Sequence, residues 1–124
     1  MYLEGRKHLF NSTITEDNLP VKQIVIDLGY WRKHPNLHGY IVKNFANGVD
    51  ECQTIELRKD DIIKIIQAIK LNELPHTTGF FFGTSDKSHE TVINDLHIFN
   101  LALGWLQGGE PKNEYRYVTY LASW

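Results

Sequence analysis

In VKQIVIDLG, residues 21–29, apolar and polar positions alternate, with Val21, Gln23, Val25 and Asp27 on one side and Lys22, Ile24, Ile26 and Leu28 on the other. The β-branched content predicts a strand that ends at Gly29. Beyond it the period changes. Leu37, Ile41 and Phe45 recur at helical spacing, with Trp31 and Val42 on the adjoining flank and Arg32 and Lys43 opposite, which predicts an amphipathic helix within residues 30–45. Proline fits only the first turn of a helix without losing a hydrogen bond, so Pro35 places the regular helix from about His34, with GYWRK as its lead-in. Arg32 then lies either on a helix flank or at a helix N-terminus, where backbone N–H groups also attract anions.

Asn47 and Gly48 supply a turn, and CQTIEL a short strand. In KDDIIKIIQAIKLN the isoleucines at 62, 63, 65, 66 and 69 form one broad apolar face, and Asp60 and Asp61 stand where the dipole of a second helix favours them. Pro75 marks its far side. HTTGFFFGTSDKS brackets three phenylalanines between Gly79 and Gly83, which reads as a buried strand or a rigid turn. Ser88 can cap a third helix whose apolar positions Val92, Leu96, Phe99, Leu103 and Leu106 keep the 3.6-residue period as far as Gly108 and Gly109. EYRYVTYLASW alternates as a closing strand. Residues 1–20 are mixed in character, with the turn formers of NSTITEDNLP ending at Pro20, and read as an N-terminal arm or loop. This order predicts a single α+β domain over residues 1–124, with about three helices packed on one face of a small antiparallel or mixed sheet.

Composition narrows the function classes. A chain of 124 residues, 42% apolar and 23% charged, is long enough for one core and too apolar for disorder. Its formal net charge of -2 argues against non-specific binding to bulk nucleic acid, which needs a broadly positive surface, so any anion site must be local. The single Cys52 excludes an internal disulfide and suits a reducing cytosol. The first twenty residues lack the uninterrupted apolar stretch of a signal peptide, and no apolar run approaches membrane-spanning length. A cytoplasmic protein with no membrane partner is expected, and nothing in the sequence calls for a cofactor.

GYWRKHPNLHGY, residues 29–40, gathers two basic side chains, three aromatics and two histidines. Together with MYL at the start, GVDEC at 48–52, LP and GFFFG within 74–83 and the terminal SW, it resembles a widespread family of small phage and prophage proteins across nearly the whole chain. Members often carry the label phosphoglycerate kinase. This chain is far too short for that enzyme and has no phosphate-cradling G-x-x-x-x-G-K-[ST] loop. The family is similar to the anti-CBASS nucleotide-sponge proteins of phages, which bind cyclic oligonucleotides or related immune signals as homo-oligomers without cleaving them. The resemblance implies ligand-binding roles for Tyr30, Trp31, Arg32, Lys33 and His38, and for Gly79, Phe80 and Gly83 of GFFFG. It also implies a homo-oligomer, a dimer or tetramer, acting in the cytoplasm of an infected bacterium. The chain departs from the family at His34 and Pro35, where the family reads Ala-Asn, and after FFFG, where it carries TSDKSHE.

The chemistry of these residues supports more than one reading. Arg32 and Lys33 suit a phosphate ester, the guanidinium through paired charge-assisted hydrogen bonds and the ammonium as a mobile charge, although adjacent basic residues on a helix are ordinarily a solvated face. Tyr30, Trp31 and Tyr40 can stack on nucleobases, with Tyr30 the best placed and Trp31 equally suited to core packing. His38 suits a hydrogen bond to a phosphate or a backbone carbonyl. His34 and His38, four apart, can share a helix face and bind zinc with Asp50 and Cys52, but no second paired ligand motif is present. Gly79 or Gly83 can offer N–H groups to a ligand, whereas Phe81 reads as core. A domain this small has little room to enclose a dinucleotide, so the site is expected between subunits. Two alternatives stand beside this non-catalytic, nucleotide-sequestering reading. One is a small phosphodiesterase using the H-x-T triplets His76 to Thr78 and His89 to Thr91. The other is an inhibitor that binds a host protein through the aromatic strand EYRYVTY.

Overall fold

The computed structural model describes residues 1–77 and 88–122. In chain order it runs β1 (Tyr2–Leu9), β2 (Thr15–Glu16), β3 (Leu19–Pro20), β4 (Gln23–Tyr30), α1 (Pro35–Phe45), β5 (Ile55–Leu57), α2 (Lys59–Lys70), α3 (His89–Gln107) and β6 (Glu114–Leu121). Four strands form one sheet in the order β4-β1-β6-β5, every pair antiparallel, and β2 and β3 make a separate hairpin. The α+β class and the three helices are as expected, and the described sheet is antiparallel rather than mixed.

The N-terminal arm is the correction. Tyr2–Leu9 is an inner strand, paired on one side with β4 and on the other with β6. Its alternation is hard to read because one inward position is Gly5. A Cβ there would lie 2.9 Å from Trp105 Nε1, so the position that would announce a buried strand is left empty for an indole. Residues 15–20 are likewise a hairpin, turned through Asp17 and Asn18 at φ 51° and 63°. Two successive left-handed residues are what a tight hairpin turn needs, and Asp and Asn tolerate that conformation.

α1 starts at Pro35 behind His34, as the proline dictates. α2 opens with Asp61 Oδ2 accepting the Arg58 N–H at 3.0 Å, and it buries Ile62, Ile65, Ile66 and Ile69 while Ile63 is half-buried. α3 is capped by Ser88, whose Oγ accepts the Thr91 N–H at 3.2 Å. It packs on α2 and crosses β4, β1 and β6. Leu37 and Ile41 of α1, the four buried isoleucines of α2, Ile98 and Phe99 of α3, and Leu3, Val118 and Tyr120 of the sheet form one buried core. The sheet's other face leaves Tyr2, Val25, Tyr30 and Tyr115 exposed. No described helix is long and apolar enough to cross a membrane.

Gly29, next to last in β4, sets how closely α3 approaches the sheet. A Cβ built on it would meet Ile98 Cγ2 at 2.5 Å, an overlap that a shift of the buried Ile98 side chain, of α3 or of the strand must relieve. Gly29→Ala is therefore expected to lower the unfolding free energy by about 1–3 kcal/mol, the usual cost of overpacking. In an Ile98→Ala background, which removes the opposing atoms, the same change should cost less. A denaturant double-mutant cycle measures the difference, and additivity of the two changes would refute the contact.

Candidate ligand-binding cleft

Where β4 runs out, its last residue, Tyr30, lies on the open face of the sheet with its ring 5.1 Å from that of Tyr2. The next four residues are held at both ends. Trp31 donates its backbone N–H to Met1 O at 2.9 Å and stacks its indole on Phe99 at 5.6 Å between centroids. Its Nε1–H donates to Asp95 Oδ1 at 2.8 Å, while His34 Nε2 lies 2.7 Å from Asp95 Oδ2. Asp95 projects from the middle of α3 and is 2% exposed. A carboxylate at that depth is costly unless hydrogen-bonded, and here each oxygen meets one partner, so a single side chain pins both ends of residues 31–34.

Arg32 and Lys33 lie between these two anchors, both exposed. Among the described residues neither forms an ion pair. They line a cleft of about 620 Å³ whose near wall is residues 30–34 and whose far wall is Glu90, Thr91, Ile93, Asn94 and His97 of α3. That volume lies within the range of small-molecule sites. The N-terminal turn of α3 borders it through Glu90 and Thr91, and helix N-termini carry partial positive charge, while on the near wall the lining ends at His34, the residue ahead of α1. Tyr30, Trp31, Arg32 and Lys33 are thus brought together, with Arg32 just ahead of a helix N-terminus rather than on a helix flank. Trp31, 6% exposed, meets the cleft as part of a buried wall, its stacking face already occupied by Phe99. Comparison with family models, curated proteins and solved structures returns no match. The site therefore stands on its geometry.

His38, the other expected ligand-binding residue among the described ones, lies elsewhere. It is buried away from the cleft, with Nδ1 2.6 Å from the Tyr120 hydroxyl and Nε2 2.9 Å from Asp50 Oδ2. Those bonds tie α1 to β6 and to the loop before β5, in place of the expected phosphate or backbone carbonyl. Burial pushes the Tyr120 hydroxyl well above the usual phenol range, and the charge of Asp50 adds to the effect. His34 and His38 therefore serve different carboxylates, and Cys52 is exposed. Among the described residues no group of three or more His, Cys, Asp or Glu is arranged to hold a metal ion. Tyr40 packs edge-on to Phe45 at 6.0 Å, outside the cleft.

Gly79, Phe80, Phe81 and Gly83 lie outside the described residues, as does Thr78 of the first H-x-T triplet. Of the rest, His76 is exposed in the segment after α2, His89 begins α3, and Thr91 lines the cleft. The aromatic strand EYRYVTY is an inner strand, β6, with Tyr120 buried and Tyr115 exposed. Apart from Thr91, sequence reasoning missed the far wall and the anchor behind it. One signal was present, since Asp95 lies three residues after Val92 and four before Phe99, a carboxylate in phase with the apolar face of α3.

Proposed function

We propose that this chain is a phage-encoded, non-catalytic binding protein that sequesters a cyclic oligonucleotide or related anionic nucleotide signal in the cleft between residues 30–34 and α3. The observation that carries the reading is the placement of Arg32 and Lys33. Both are exposed and without ion-pair partners among the described residues, and they line a concave surface on a segment that Asp95 holds from beneath. Because the backbone that carries both cations is anchored before the ligand arrives, only their side chains remain to be ordered on binding, which favours affinity. Tyr30 gives the mouth of the cleft an aromatic face for a base, and the first turn of α3 adds its positive dipole end for phosphate.

The protein acts in the cytoplasm of the infected cell as a symmetric oligomer. In support, β4, which ends in Tyr30, is an outer strand of the sheet with Val25 and Ile26 exposed, a surface suited to a second copy. Sequestration without cleavage needs only the binding groups named here.

Thermal unfolding against cyclic dinucleotides, cyclic ADP-ribose isomers and mononucleotides tests the reading. A ligand at about 100 times its Kd stabilises the fold by about 2.7 kcal/mol, which raises the Tm by roughly 10 °C in a domain of this size. Heat extraction should then return that ligand chemically intact. A panel in which no nucleotide moves the Tm would end the nucleotide reading, and return of a cleaved ligand would replace the sponge with a phosphodiesterase.

A further inference from the structure

On the α3 wall of the cleft, Glu90 and Asn94 stand one helical turn apart on the same side of the helix. Both are exposed, and among the described residues neither side chain makes a hydrogen bond or ion pair. For Asn94 this means an amide held ready but unspent. Glu90 is the more informative residue, because a carboxylate in a cleft that holds phosphate repels the same ligand that Arg32 and Lys33 attract. Such a group is compatible with an anionic guest only where it meets a part of that guest rich in donors.

Nucleobases differ sharply in this respect. Guanine offers two adjacent donors, N1–H and N2–H, on one edge, followed by the O6 acceptor. Adenine offers a single exocyclic donor beside ring-nitrogen acceptors, cytosine a donor beside an acceptor, and uracil one N–H between two carbonyls. Two carboxylate oxygens match two adjacent donors, and an amide N–H one turn along matches O6. From this complementarity, and resting on the nucleotide reading above, we infer that the α3 wall reads guanine. Glu90 accepts from N1–H and N2–H, Asn94 Nδ2 donates to O6, and the base lies across from Tyr30 with its phosphate on Arg32 and Lys33. The ligand class is thereby narrowed to guanine-bearing nucleotides.

Glu90 also lies in the first turn of α3, where any carboxylate favours the helix, so the test must separate recognition from stability. Titration calorimetry of the full chain with cyclic di-GMP and cyclic di-AMP does so, because the two share backbone and charge and differ only in the bases. The wild-type chain should bind cyclic di-GMP about ten- to a hundredfold more tightly, the discrimination expected of a paired base contact. Glu90→Gln sets an amide donor against guanine's donors and should bring the two ligands within about threefold of each other, while Arg32→Ala weakens both alike and keeps their ratio. Equal affinity of the wild-type chain for the two ligands overturns the guanine assignment, as does a Glu90→Gln variant that shifts both by the same factor. In either case the loss of binding in Arg32→Ala would leave the anion cleft standing. Failure of both ligands, and of the wider panel above, to bind the wild-type chain overturns the assignment and the nucleotide reading together.

Discussion

Asp95→Ala should unfold with a stability about 3–5 kcal/mol below wild type, the usual loss when one member of a buried polar pair is removed. The reason is specific to this carboxylate. Its two oxygens serve the Trp31 indole N–H at 2.8 Å and His34 Nε2 at 2.7 Å, and truncation takes the acceptor from the buried indole and the carboxylate from the buried imidazole. For a domain of this size the loss corresponds to a Tm roughly 10–20 °C lower. Asp95→Asn keeps the volume and one acceptor oxygen for Trp31 but sets an amide group against His34, so its loss should fall nearer 1–3 kcal/mol. Denaturant unfolding followed by Trp fluorescence measures both, and it reports directly on Trp31, one of the two indoles among the described residues. Because residues 31–34 also carry the cleft's cations, nucleotide affinity in Asp95→Asn should fall even at temperatures where the chain remains folded. A melting curve for Asp95→Ala within about 2 °C of wild type would remove Asp95 from its role as anchor.

The second large effect is on binding and should leave the fold untouched. Arg32→Ala removes a guanidinium worth about 1.5–3 kcal/mol to a phosphate, which weakens the tightest nucleotide of the panel by roughly ten- to a hundredfold. Arg32→Ala with Lys33→Ala should weaken it further. Both side chains are exposed and make no ion pair among the described residues, so the free protein's Tm should stay within about 2 °C of wild type. The dependence of log Kd on log salt should flatten by roughly one for each phosphate that no longer meets a cation. If Arg32→Ala unfolds the chain instead, the residue belongs to the architecture and the cleft is left without its main phosphate ligand.

These two predictions draw on different levels of legibility. The cations at 32 and 33, the strand before them and the helix after Pro35 can all be read along the chain, because each depends on neighbours within a few residues. The wall opposite them could not. Trp31 and Asp95 are 64 residues apart and His34 and Asp95 are 61, so no local pattern joins them, and Asp95 shows in sequence only as a polar residue out of place on an apolar face. His38 was legible as a polar group near the site but not as a partner of Tyr120, 82 residues away. The first strand was hidden for a related reason. A position that must be small because Trp105 occupies the space above it looks, in sequence, like a position with no preference at all.

By itself, then, the sequence determined the α+β class, the extents of α2 and α3, the start of α1 at a proline, and the presence of a basic, aromatic segment after a strand. Those features follow from backbone geometry and short-range periodicity. Only the tertiary structure decided that the N-terminal segment runs through the middle of the sheet, that His38 turns away from the cleft, and that a buried carboxylate on α3 holds Arg32 and Lys33 against a concave surface. The physical reason is that burial, and the pairing of polar groups it enforces, is a property of residues brought together from distant parts of the chain.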